Sequence, residues 1–365
     1  MRQLTMFIAA CCIPGALFAQ TPIQGSTPAE EVIDPFRTAD AQDAVSELAR
    51  KLEENFVFPE IGRAYAAMLR NNLASGKYAH FADTNAFADA LSDDLQAVQR
   101  DGHLRVHVVP IEARSNLGED AQGRPQGSGG PPPDYNAVTA AGWLSESVAY
   151  ISFAGFPGSK ATLAAVEKFI IGHAGAKTLI IDVREHSGGG IAEMDLMFPH
   201  MFKNDTVLVG MDTRSSVDAR NTESQPPSIR PSRGPEGVAR YQHHAMPLAD
   251  TDAFRETNIL VLTSKRTASA GEHFALALKR TGRATLIGET TMGLGHYGSM
   301  ELLDTGRTYV AIIPFGRSFD PDTGEGWEAT GISPHISVSS DEALDVALAQ
   351  AGLKVSGEVA LASLY

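Results

Sequence analysis

Short apolar runs that alternate with helical patterns constrain the fold of this chain more than any other feature. Each run has the length of a strand and is rich in aliphatic residues, and together they cover residues 148–151, 178–183, 206–211, 258–263 and 284–288. Helical patterns separate these runs over 162–174, 191–202 and from Ser269 onward. Such alternation predicts an α/β fold with a largely parallel sheet that helices cover on both faces.

The flanking segments have other patterns. Helical spacing of apolar residues predicts three helices over 40–100, one of them capped by Thr84. The runs 298–303 and 308–313 favour a hairpin, and 341–351 a closing helix. The segment 213–250 carries several prolines and arginines, so we interpret it as a flap over a substrate cleft, with surface disorder as the alternative.

These patterns divide the chain into six segments. We predict a signal peptide at 1–19, a disordered lead at 20–36, a helical N-terminal domain at 37–110, a Gly/Pro-rich linker at 111–135, an α/β catalytic domain at 136–352 and a C-terminal tail at 353–365.

Residues 1–19 have the features of an export signal. Arg2 precedes a mostly apolar stretch that is too short to span a membrane, and a small-residue cleavage site ends at Ala19. We therefore expect a periplasmic or secreted protein. Both cysteines, Cys11 and Cys12, lie in this segment, so cleavage would leave no disulfide, thiol nucleophile or cysteine-bound metal.

The charge balance excludes some partners. Loss of Arg2, the sole charge in the signal segment, would take the formal net charge from −14 to −15. Such an acidic surface argues against nucleic acid or an anionic membrane as partner.

Ser269 follows a buried strand and a tight polar loop, and it begins a helix. Backbone N–H groups and the positive end of the helix dipole at this position favour a developing oxyanion. The small residues Ala268, Ala270 and Gly271 beside it leave room for a substrate. Ser269 is also a preferred N-cap residue, and from the local pattern alone capping is the commoner role.

Other segments carry residues that fit the same chemistry. These are Asp101-Gly102-His103-Leu104, Gly326-Trp327-Glu328 and a buried strand that ends in Gly188-Gly189-Gly190. A serine nucleophile, a histidine base and an orienting carboxylate are defined by geometry and not by chain order.

Together with Gly288-Glu289-Thr290-Thr291, these motifs resemble the tail-specific (C-terminal processing) serine peptidases. The resemblance is strongest to the branch that contains the tricorn core and the interphotoreceptor retinoid-binding protein modules, and it covers residues 40 to 345. It implies a crotonase-like fold preceded by a small helical domain. It also implies a peptidase activity on a peptide or protein substrate, without a cofactor or metal.

The resemblance assigns roles residue by residue. Ser269 matches the nucleophile, His103 the general base and Glu328 the carboxylate that orients the base. The backbone N–H groups of Ala270 and Gly189 match the oxyanion hole. We expect three further residues to contact the substrate: Gly188, Gly190 and His296.

One position departs from the relatives that contain a PDZ domain. Those enzymes use a Ser–Lys dyad, but Leu294 stands where the lysine would be. A leucine cannot accept a proton, so a peptidase here requires the histidine. His273 lies one helical turn after Ser269 and is a rival base. The pair His243-His244 lacks supporting ligands, and we interpret it as part of a solvated loop.

Two other functions use the same fold. One is a non-catalytic module that binds lipids, retinoids or peptides, and the other is an esterase or acyl hydrolase that uses the same residues. The complete set of Ser269, His103 and Glu328 favours the peptidase.

Overall fold

The computed structural model describes residues 34–114, 134–221, 224–249, 251 and 253–365. The predicted signal peptide at 1–19, most of the lead at 20–36 and most of the linker at 111–135 lie outside these residues. Among the described helices, none combines the length and apolar character needed to cross a bilayer.

Ten helices are present in the described chain. They are Thr38–Asn55 (α1), Pro59–Ala74 (α2), Thr84–Val98 (α3), Ile111–Arg114 (α4), Lys160–Gly172 (α5), Ala192–Met201 (α6), Ser215–Asp218 (α7), Ala270–Arg280 (α8), Ala343–Gln350 (α9) and Gly357–Ala362 (α10).

Twelve strands accompany them. They are Val106–Val108 (β1), Val138–Ser145 (β2), Val148–Phe153 (β3), Thr178–Asp182 (β4), Thr206–Arg214 (β5), Ile229–Ser232 (β6), Val238–Ala245 (β7), Asn258–Thr263 (β8), Ala284–Gly288 (β9), His296–Leu302 (β10), Tyr309–Phe319 (β11) and Ile336–Ser337 (β12).

The first sheet has the strand order β12-β9-β8-β4-β3-β2. All of its pairs are parallel except β2–β3. Successive side chains point to opposite faces, so both faces are apolar. Helices α5, α6 and α8 pack on one face, and α9 and α10 pack on the other. The predicted fold class, a mostly parallel α/β sheet behind a helical N-terminal region, is confirmed.

The second sheet is antiparallel and has the order β1-β11-β5-β7-β6, with β10 also paired to β11. The predicted hairpin is therefore present as β10–β11. Helices α1 to α3 share a core with β11 through Tyr309, Ala311 and Ile313. This packing fixes the turn after α3 against the α/β part of the chain.

Three local expectations are wrong. Residues 229–245 form β6 and β7 of the second sheet, and not a flap or a disordered loop, because β7 pairs with β5 along its whole length. The cap of α3 is Asp83, whose carboxylate accepts from Ala86 N at 2.8 Å, and Thr84 is the first helical residue. The predicted tail contains α10, which packs on α9.

Candidate active site

Ser269 occupies a strained turn between β8 and α8. Its backbone has φ 52° and ψ −112°, in a region that residues other than glycine rarely adopt. The side chain is almost buried. In known hydrolases, a strained serine at the turn between a strand and a helix presents its hydroxyl to the substrate. The strain at Ser269 therefore points to a functional role.

Glu272 holds this turn in place. Its fully buried carboxylate accepts hydrogen bonds from Ser269 N at 2.8 Å, Thr291 Oγ1 at 2.5 Å, and the N–H groups of Gly293 and Leu294 at 2.7 Å. Burial raises the pKa of Glu272. The sequence motif contains Glu272, but we had assigned it no role. Its place three residues after the cap is the signal of a capping box.

The glycine loop after β4 lies beside this turn. Gly189 has φ 131°, and a Cβ added to it would lie 2.1 Å from the carbonyl oxygen of Phe156. Gly190 N donates to that same oxygen at 2.7 Å. Within the described chain, no hydrogen bond engages the N–H of Gly189 or of Ala270. Both predicted oxyanion donors are therefore available to a ligand.

His186 connects the glycine loop to the serine turn, and the sequence analysis missed it. Its Nδ1 accepts from Gly188 N at 3.1 Å, and its carbonyl oxygen accepts from Ala268 N at 2.9 Å. The ring is fully buried against Phe156. Burial lowers the pKa of His186 to about 3, so the ring is neutral at ordinary pH.

A cavity opens at Ser269. Ser269, Ala270 and Gly189 line it together, so the hydroxyl and both free N–H groups share one space. It encloses about 350 Å³, part of which is open to solvent. Gly188 and Gly190 belong to the same loop as Gly189. Further walls are polar at His273 and His296 and apolar at Ile191, Met194, Met211 and Trp327.

His103 lies in the turn that follows α3, which reaches the α/β part of the chain. Gly102 N donates to Glu328 Oε1 at 2.7 Å. One ligand atom each from Asp101, His103 and Glu328 lies within 4.8 Å of the others. Neither ring nitrogen of the buried His103 has a partner among the described residues. Burial lowers the pKa of His103 to about 4, against the opposing effect of Asp101.

Glu328 and Asp101 are held by backbone donors. Glu328 Oε2 accepts from the N–H groups of Gly295 and His296 at 2.8 and 2.9 Å, and Asp101 Oδ1 accepts from His103 and Leu104. Burial and the nearby Asp101 raise the pKa of Glu328. Each carboxylate oxygen in this group accepts at least one hydrogen bond.

Asp101 also binds His296, which the sequence analysis did not foresee. Asp101 Oδ2 and His296 Nδ1 are 2.6 Å apart. Burial opposes the charged forms, but this hydrogen bond and the mutual attraction outweigh it, so the pKa of Asp101 is lowered and the pKa of His296 is raised. His296 lines the Ser269 cavity, as expected of a pocket wall.

The interpretation of His243 as part of a solvated loop is wrong. His243 is fully buried on β7, where Nδ1 lies 2.9 Å from His273 Nε2 and Nε2 lies 3.0 Å from Asp195 Oδ1. One ring nitrogen of His273, Nε2, is therefore engaged in a hydrogen bond with His243. Its neighbour His244 points away and binds Asp205 at 2.7 Å.

The fold and this geometry define an α/β protein with a serine at a strained strand–helix turn. The model of peptidase family S41 matches residues 147–338, and the model of the N-terminal domain of this family in eukaryotic IRBP matches residues 29–137. The chain belongs to peptidase family S41. The family predicted from the motifs is confirmed.

Solved structures show the same fold. The chain is similar to the photosystem II D1 C-terminal processing protease, with 17% identity over 82% of this chain and 93% of that one, and a TM-score of 0.52. It is similar to mature CPAF complexed with lactacystin, with 13% identity, 86% and 97% coverage and a TM-score of 0.56. The chain is also similar to the tricorn protease, with 13% identity over 89% of this chain and 36% of that one, and a TM-score of 0.50. The family supports a peptidase function, and these neighbours show the fold.

Proposed function

We propose that the chain is an exported serine peptidase that cleaves peptides or proteins through an acyl-enzyme. The observation that carries the proposal is the strained Ser269 in one cavity with two unengaged N–H groups, those of Gly189 and Ala270. Ser269 Oγ attacks the scissile carbonyl carbon, and the two N–H groups stabilise the oxyanion that forms. One such donor is worth about 3–4 kcal/mol of the barrier.

The proposed base is His103, oriented by Glu328. His103 takes the proton of Ser269 Oγ and delivers it to the leaving amine, and a water molecule then hydrolyses the acyl-enzyme in the same way. Two observations support this role: the lowered pKa of His103 and its closeness to Glu328. Among the described residues neither ring nitrogen of His103 bonds Ser269 or Glu328, so the hydrogen bonds of the triad would have to form when the substrate binds. Leu294 excludes the lysine used by other members of the family.

His296 is a second candidate for the base. It lines the Ser269 cavity, and Asp101 holds its Nδ1, as an orienting carboxylate would. Burial would lower its pKa, but the hydrogen bond to Asp101 and the nearby carboxylates raise it. We favour His103 because it matches the general base of the family.

Labelling with a fluorophosphonate tests the nucleophile. We expect one adduct on the tryptic peptide that contains Ser269, and none in Ser269→Ala. The mass of the natively exported, labelled protein should correspond to a chain that begins at Gln20. Labelling that persists in Ser269→Ala would exclude Ser269 as the nucleophile.

The same protein distinguishes the competing functions. If the protein cleaves a peptide library and the Ser269→Ala variant does not, the peptidase function is supported. Turnover of activated esters without any peptide cleavage would identify an esterase. Absence of both labelling and turnover, with the fold intact, would favour a binding module.

A further inference from the structure

The cavity at Ser269 has a polar wall that the catalytic residues do not explain. His273 lines the cavity and lies one helical turn after Ser269 on α8. Behind it, a buried row of hydrogen bonds runs from His273 through His243 to Asp195. The row joins three elements, α8, β7 and α6, and ends at a carboxylate that is about one-quarter exposed.

When both rings are neutral, this row sets which nitrogen of each ring carries a proton. The Asp195 carboxylate only accepts, so His243 Nε2 donates to it. A neutral His243 then accepts at Nδ1, and His273 must donate from Nε2. A neutral imidazole has one N–H, so His273 Nδ1 keeps a lone pair.

Both rings are buried, His243 fully and His273 almost fully. Burial and the neighbouring His243 lower the pKa of His273 well below its usual value. Within the described chain, no residue bonds His273 Nδ1.

A second group on the cavity wall complements this acceptor. The indole of Trp327 lies edge-on to His273, with ring centroids 6.5 Å apart. Its Nε1–H is buried and has no partner in the described part of the chain. An unpaired buried donor of this kind costs about 1–3 kcal/mol, which a bound acceptor would recover.

We propose that this cavity selects the substrate side chain on the acyl side of the scissile bond, and that it takes an uncharged side chain ending in a hydroxyl or a carboxamide. Such a group donates to His273 Nδ1 and accepts from Trp327 Nε1–H, while Ile191, Met194 and Met211 surround its apolar part. His243 and Asp195 are positioning residues, because they act through His273. The proposal rests on the proposed function, since Ser269 and the oxyanion donors bring the acyl group to this cavity.

Pairs of activated esters test the selection. The substrates are p-nitrophenyl esters of N-acetyl amino acids in three pairs: threonine and valine, glutamine and methionine, and tyrosine and phenylalanine. The two members of each pair have side chains of similar size, and only the first carries the polar group. A site that hydrogen-bonds its substrate discriminates against the analogue that lacks the group, whereas an apolar pocket does so weakly. We expect kcat/KM for the polar member to exceed that of its partner by about tenfold or more in at least one pair, corresponding to about 1.4 kcal/mol.

Three phenylalanine variants locate the effect. His273→Phe removes the acceptor and should reduce the ratio within that pair to about twofold or less. His243→Phe leaves His273 without its fixed tautomer and should reduce the ratio as well. His244→Phe is the matched control on the same strand, and it should keep the ratio of the unmodified protein.

The nitrogen-15 chemical shifts of His273 decide the tautomer without any activity measurement. We expect a protonated Nε2 and an unprotonated Nδ1, and a protonated Nδ1 would overturn the proposal. Equal rates within all three pairs, in a protein whose Ser269 reacts with the fluorophosphonate, would overturn it too. If Ser269 fails to react, the proposed function is wrong, and the tautomer still tests the acceptor.

Discussion

At the scale of single residues, the two candidate bases, His103 and His296, differ in the direction in which their surroundings shift the pKa. His103 is buried with free ring nitrogens, and its pKa is lowered to about 4. His296 is paired with Asp101, and its pKa is raised. A general base has to be unprotonated before it acts, so the two assignments predict different pH profiles.

If His103 is the base, the acid limb of kcat/KM should fall near pH 4, and not near the ordinary value of about 6.5. His103 is neutral above its pKa, so activity is lost as the pH drops through that value. If His296 is the base, its raised pKa predicts that activity is lost as the pH falls through a value above about 6.5. Initial rates on a chromogenic peptide between pH 3.5 and 8 distinguish the two.

The matching substitutions give an independent reading. His103→Ala should lower kcat by about 10²–10⁴, the usual contribution of a positioned base. His296→Ala should retain more activity, because it leaves His103 and Glu328 in place. A larger loss in His296→Ala, with both variants folded, would reverse the assignment.

At the scale of elements, the site depends on two turns that are built at the ends of neighbouring parallel strands. The glycine loop follows β4, and the serine turn follows β8, which pairs with β4. His186 ties the two turns together, and Glu272 ties the serine turn to the segment after β9. The position of each oxyanion donor is therefore set by backbone geometry.

Gly189 and Gly190 form a matched pair for testing this geometry. In Gly189→Ala, the new Cβ would lie 2.1 Å from Phe156 O at a φ of 131°, so the loop must move. In Gly190→Ala, the nearest atom would be 3.9 Å away. We expect Gly189→Ala to lower kcat by about 10²–10³, as the loss of one oxyanion donor does, and Gly190→Ala to have little effect.

The reaction rate of Ser269 with a fluorophosphonate reads out the same change, and thermal unfolding shows whether the variants are folded. Equal rates in the two variants would mean that Gly189 N–H does not contribute to the oxyanion hole.

The sequence predicts the buried strands well, because an apolar run in a parallel sheet is a local signal. Strand 284–288 was placed at its observed bounds. The second sheet was largely missed, because β6 and β7 carry proline, arginine and histidine, and they form strands by pairing with each other and, for β7, with the distant β5. Local pattern singles out Ser269, whereas the approach of Gly102 to Glu328 joins residues 226 positions apart and needs the fold.

At the scale of the whole molecule, the protein buries several histidines in their neutral form. The pKa of His103 is lowered to about 4 and that of His186 to about 3, both by burial, and the pKa of His273 is lowered well below its usual value by burial and by the neighbouring His243. In the folded chain these rings take up a proton only at a pH well below the usual value. Their protonation in the unfolded chain therefore competes with folding.

The contribution of these histidines to the free energy of unfolding should consequently fall in mild acid, whereas Glu193, whose pKa burial raises to about 7, contributes in the opposite direction. Below about pH 6.5 the unfolded chain binds protons at these histidines that the folded chain does not, so their contribution is present above that pH and is lost as the pH falls towards 4 and 3. Each such histidine contributes about 1.4 kcal/mol per pH unit. Urea unfolding at pH 6 and pH 5 measures the slope. His186→Asn, whose side-chain oxygen can still accept from Gly188 N, should reduce the slope by the share of one histidine. An unchanged slope in that variant would show that His186 is not buried in its neutral form.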